Sequence, residues 1–95
     1  MQTAFQIDLT DNVATALCPL APGETRLLGD AAQSAIEAVT DVPVGHKIAL
    51  RDIPSGGTVL KYGESIGIAT KDIQRGDYVH VHNLDSARAR GDWKE

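Results

Sequence analysis

Three stretches decide the fold: DVPVGHKI (41–48), DIPSGGTV (52–59) and DIQRGDYV (72–79). Each reads Asp, branched aliphatic, two free positions, Gly, two free positions, aliphatic. PLAPGETR (19–26) is a weaker fourth copy, without the Asp and the final aliphatic. The three full copies start 11 and 20 residues apart, so the pattern is a turn device used repeatedly, not a solenoid repeat. Its aliphatic residue anchors the turn in a core, and its Asp hydrogen-bonds backbone N–H groups just downstream. Its Gly supplies a positive φ before the chain enters a strand. Four such turns in 95 residues predict short strands and a compact, mainly β domain with little helix.

The strands between the turns follow a period of two. AFQIDL (4–9) sets Phe5, Ile7 and Leu9 against Gln6 and Asp8. NVATAL (12–17) sets Val13, Thr15 and Leu17 against alanines. Ile48 and Leu50 share a face of KIAL (47–50), and Ile66 and Ile68 share a face of SIGIAT (65–70), where Gly67 permits close backbone approach. KYGE (61–64) reads as a turn with Gly63 at its tight position. Residues 29–40 fit either a helical stripe or a hairpin, and the hairpin is preferred because a strand leads directly into the Asp41 turn. Residues 1–84 form the domain, and 85–95 have no sustained apolar face and read as a tail.

The totals exclude several functions. With 9 basic and 13 acidic residues the formal charge is −4, which disfavours nucleic acid as a partner. One cysteine, Cys18, rules out a disulfide framework and a Cys-based zinc motif, and reads as a small buried hydrophobe. No apolar run approaches the ~18 residues of a membrane span, and the start lacks a signal-peptide layout, so a soluble, cytoplasmic protein is expected. RGD (90–92) and the glycine-rich GGTVLKYGESIG lack the context that would give either motif meaning.

Two groups can carry chemistry. In DYVHVHNL (77–84) alternation places Val79 and Val81 inward, and Tyr78, His80, His82 and Leu84 outward. The two imidazoles then stand about 6.5–7 Å apart at Cα. They are a two-ligand half of a transition-metal site, or ordinary exposed histidines beside Asn83, whose amide can orient a ring or bind a hydroxyl. GHK (45–47) fixes His46 directly after a turn glycine. Lys47 offers a cation for a carboxylate, and Arg51 follows. His46 beside Lys47 suits a proton carrier near neutral pH, and the plainer alternative is a solvated strand start.

The joint order of DVPVGHKIAL, DIPSGGTVLKYGESIG and GDYVHVHNL, with DNVATAL near the start, resembles the SAF-type (antifreeze-like, β-clip) module of the altronate/galactarate dehydratase family. The resemblance spans roughly residues 5 to 92 and is weakest across 24–40. It implies the small subunit of a sugar-acid dehydratase, a hydro-lyase inactive without a large subunit and dependent on a divalent metal, Fe²⁺ or Mn²⁺. His80 and His82 would lie near that metal. His46 and Lys47 would bind the substrate carboxylate or relay a proton, with Arg51 and Asn83 also binding substrate. Arg88, Arg90 and Trp93 would order on docking. Sulfolactate sulfo-lyase small subunits share G-H-K and H-V-H-N, and a non-catalytic carbohydrate-binding module is the alternative from another class. A domain this small buries only roughly two-thirds of its unfolded surface, so a sugar acid needs a second chain to enclose it.

Overall fold

The computed structural model describes residues 1–86. Arg88, Arg90, Trp93 and the RGD stretch lie outside the described residues, as does most of the tail expected over 85–95. The described chain is β throughout, without an α-helix: β1 (Thr3–Gln6), β2 (Val13–Ala16), β3 (Gly23–Gly29), β4 (Ala35–Ala38), β5 (Lys47–Ala49), β6 (Thr58–Lys61), β7 (Glu64–Ala69), β8 (Tyr78–Val79) and β9 (Leu84–Asp85). One sheet has the order β4-β3-β1-β2-β5-β8 and the other β6-β7-β9. This is the mainly β, β-clip architecture predicted. The ambiguous stretch 29–40 resolves as the preferred hairpin, β3 pairing antiparallel with β4.

The turn device behaves as predicted in its glycines. Gly45, Gly56 and Gly76 have φ of 82°, 87° and 89°. Each is the third residue of a turn closed by a backbone bond, from His46 N to Pro43 O, Gly57 N to Pro54 O and Asp77 N to Gln74 O. That is the position at which a type II turn requires positive φ. Each turn glycine also donates its N–H to an alanine carbonyl of a neighbouring strand: Gly45 to Ala16, Gly56 to Ala69 and Gly76 to Ala49.

The aspartates differ from expectation. Asp52 and Asp72 do not cap their own turns; each crosses to the other's. Asp52 Oδ1 accepts from Arg75 N at 2.8 Å and Asp72 Oδ1 from Ser55 N at 2.9 Å. The anchors meet in the same reciprocal way. Ile53 and Ile73 exchange two backbone hydrogen bonds, and so do Leu20 and Val42. The four copies therefore associate as two back-to-back pairs, and the copy without an Asp is paired with the first.

Two cores result. Ala4, Ala14, Ala16, Leu27, Ile36 and Ile48 pack on one face of the long sheet. Val13, Ala49, Val59, Ala69, Val79 and Leu84 pack on the other, beneath the short sheet. Ile48 and Leu50 share the first core as predicted, and Gly67 allows the close approach foreseen, since a Cβ there would meet Leu84 Cδ1 at 2.5 Å. The face assignments in β1 and β2 are corrected. Phe5 is 39 % and Leu9 62 % exposed, while Ala4 and Gln6 are buried. Small residues win the inner face because β1 and β2 lie in the middle of a sheet packed closely against its cover, and Gln6 spends its amide on the Asp8 and Leu9 carbonyls.

Candidate functional site

Pairing of β5 with β8 creates the site. Lys47 lies opposite Val79 and Ile48 opposite Tyr78. The Gly45 turn delivers His46 to the start of β5, and the Gly76 turn delivers Tyr78 to β8. The Tyr78 hydroxyl and His46 Nδ1 share a hydrogen bond of 2.7 Å. With the phenol donating, the imidazole proton sits on Nε2. The His80 ring lies 4.5 Å from that of His46 and stacks on Tyr78 at 5.7 Å, and His82 lies 5.2 Å from Tyr78. One tyrosine thus gathers the three histidines of the chain.

The strand does not run through DYVHVHNL as alternation predicts. β8 ends at Val79, and residues 80–83 form a turn closed by Asn83 N donating to His80 O at 3.0 Å. Asn83 is only 2 % exposed; its Nδ2 donates to Tyr78 O and its Oδ1 accepts from His80 N, both at 2.9 Å. Val81, expected inward, is 78 % exposed, and Leu84, expected outward, is buried. The physical reason is local: β8 is an edge strand, and the Asn83 amide satisfies its backbone where no further strand is available. The amide of Asn83 is therefore committed to the turn that aims His80 and His82.

Lys47 points to the opposite face from His46, at the rim of the second core two residues before Ala49. There a cleft of about 310 Å³ is lined by Lys47, Lys61, Tyr62, Ile66, His80 and Leu84. Partial burial, then the neighbouring Lys61 charge, hold the Lys47 ammonium below its ordinary pKa. Desolvation first, then the charges of His46, Lys47 and His82, hold His80 below the ordinary imidazole value. Arg51 is exposed beyond the end of β5 and does not line the cleft. Lys61 and Tyr62 were missed by residue reasoning, which saw in KYGE only a turn; their signal was the match of K-Y-G-E-S-I-G to a family pattern.

His80 is consequently neutral at pH 7, and the sign of its linkage follows. Below pH 6.5 an unfolded chain takes up a proton at residue 80 that the folded chain resists, so this residue's contribution to stability declines as pH falls through 6.5. An NMR titration of the imidazole protons should place the His80 midpoint below 6.5, and Lys47→Gln should raise it. A His80 midpoint at or above 6.5 in the parent chain would contradict this arrangement.

Among the described residues, no three His, Cys, Asp or Glu side chains gather as a metal-holding group. No helix of the described residues is long and apolar enough to cross a membrane.

The profile described as the altronate/galactarate dehydratase SAF domain matches residues 2–87. The chain belongs to that SAF-domain family. The SAF domain is 41 % identical over 98 aligned positions to altronate dehydratase of Escherichia coli K12, covering 96 % of this chain and 19 % of that protein. Identity to altronate dehydratase of Bacillus subtilis 168 is 42 % over 83 positions, covering 87 % of the chain and 16 % of the relative. The (2R)-sulfolactate sulfo-lyase subunit alpha of Paracoccus pantotrophus is 43 % identical over 53 positions, 56 % of this chain and 79 % of that subunit. The SAF domain thus spans less than a fifth of the altronate dehydratases it matches, and most of a sulfo-lyase subunit. These relatives are lyases, of which such a domain is one part.

Proposed function

We propose that this chain is the small subunit of a metal-dependent sugar-acid dehydratase of the altronate type, supplying one wall of an active site completed by a large subunit. The observation that supports it is the open grouping of His46, Tyr78, His80 and His82, in which His80 also lines the cleft of Lys47. It gathers proton carriers and a cation on a surface that cannot by itself enclose a sugar acid. Dehydration removes the proton α to the carboxylate and expels the β-hydroxyl. Lys47 holds the carboxylate and stabilises the negative charge that builds as the proton leaves. His46, oriented by Tyr78, moves a proton between carbon and the departing hydroxyl through Nε2. Fe²⁺ or Mn²⁺ would supply further charge stabilisation, held mainly by the large subunit, with His80 and His82 as the contribution of this chain.

A second reading is favoured by one observation: the matched sulfo-lyase relative is itself a separate subunit, most of which this chain covers. Expulsion of sulfite from a hydroxy acid is the same elimination with another leaving group. Reconstitution separates the possibilities. The chain alone should turn over nothing; with a large subunit and Fe²⁺ or Mn²⁺ it should dehydrate altronate or galactarate, or instead release sulfite from sulfolactate. In the active complex His46→Ala should lower kcat by about 10²–10⁴-fold. Recovery of the chain from its host without a stoichiometric large subunit, together with saccharide binding by the chain alone, would point to a non-catalytic carbohydrate-binding module and defeat both lyase readings.

A further inference from the structure

We propose that Lys47 and Lys61 are the two arms of an oxyanion cleft that operates on this chain alone and takes the carboxylate of a small organic acid. Lys47 begins β5 and Lys61 ends β6, yet both line the cleft of about 310 Å³ with Tyr62, Ile66, His80 and Leu84. Like charges in a half-buried cleft repel, and Lys47 feels the Lys61 charge.

A buried hydrogen-bonded staple fixes the hairpin that carries the second arm. Tyr62 has φ of 61°, a left-handed conformation that costs a non-glycine residue about 1–2 kcal/mol. It is held there by the buried Asp11 carboxylate, which accepts from Tyr62 N at 3.1 Å and from Gly63 N at 2.7 Å. Asn12 reinforces the staple, accepting from Leu60 N and donating to Thr58 O. The result sets the Tyr62 ring under Lys61, with Nζ 5.1 Å from the ring centroid. Tyr62 and Gly63, at φ of 61° and 73°, are the two central residues of the β6–β7 hairpin turn, a geometry that takes positive φ at both positions. An anion between the two ammonium groups relieves their repulsion. Ile66 and Leu84 provide an apolar wall for the carbon adjoining the acid group. Only the identity of the acid rests on the lyase reading.

The test uses the 95-residue chain without a partner, labelled for NMR observation of its lysine side chains, with acetate, malonate and sulfate as probes. Saturable shifts should appear at Lys47 and Lys61, and the exposed Lys71 should not move. Lys61→Gln should weaken binding at least about tenfold, and Lys71→Gln should leave it unchanged, with amide spectra confirming both folds. Shifts that fail to saturate, equal movement of Lys71, or parent-like binding by Lys61→Gln would overturn the proposal. So would absence of small-anion binding combined with weakened large-subunit assembly in Lys61→Gln, which would give the cleft to a partner's carboxylate. Turnover after reconstitution decides the lyase reading separately.

Discussion

Gly76→Ala should destabilise the domain by more than about 3 kcal/mol, a large share of a total stability on the order of 5–15 kcal/mol. A Cβ at residue 76 would stand 2.1 Å from the Glu37 carbonyl oxygen, a backbone atom of β4 that cannot rotate away. Glu37 is tied into the β3–β4 ladder, and Val39 N donates to Gly76 O, so neither side can retreat without breaking hydrogen bonds. Gly45→Ala is the internal control. Gly45 occupies the same place in the same turn device at φ 82°, but a Cβ there meets nothing within 4 Å. Its substitution should cost only about 1–2 kcal/mol, the conformational penalty alone. Urea midpoints of the two variants give the comparison directly. Equal losses would mean that the third turn is not packed against β4 as described.

Asn83→Ala should cost about 2–4 kcal/mol, because it strips the Tyr78 carbonyl and the His80 N–H of their partners where the side chain was 2 % exposed. Its second effect is on the site. Without the amide, residues 80–83 lose the turn that holds His80 4.5 Å from His46 and His82 5.2 Å from Tyr78. In a reconstituted complex, activity measured well below the unfolding temperature should therefore fall along with stability. Asn83→Asp retains the acceptor and loses the donor, and should lie between. An alanine variant with parent-like denaturation would show that the turn closes without its side chain.

The sequence revealed what backbone conformation demands. Positive φ at Gly45, Gly56, Gly63 and Gly76 leaves a visible mark because few other residues tolerate it. The β3–β4 hairpin was legible for a related reason, since β4 had to enter the Asp41 turn already extended. What failed was the equation of large apolar residues with the core. Phe5, Leu9 and Leu17 alternate convincingly, yet Ala4, Ala14 and Ala16 are the buried residues, because a sheet covered on both faces near β2 admits small side chains better than large ones.

The site was legible residue by residue but not as an arrangement. His46, Lys47, His80 and His82 were visible as chemistry. The convergence of the histidines on Tyr78 depends on β5–β8 pairing across some thirty positions, which no local pattern encodes. The strand reading of 77–84 failed because Asn83 turns the chain back, a side-chain hydrogen bond competing successfully with a ladder that had no next strand to join. Lys61 escaped notice because only the Asp11 and Asn12 staple brings its hairpin to the cleft.

The exchange of carboxylates between the second and third turns, Asp52 to Arg75 and Asp72 to Ser55, makes two exposed loops one cooperative unit. Opening either loop withdraws an acceptor from the other, and parting the Ile53–Ile73 bridge breaks both halves together. Local fraying is thereby suppressed in segments that, on exposure alone, would be the first to open. The third turn leads directly into Tyr78, so the histidine surface rests on loops that move together or not at all.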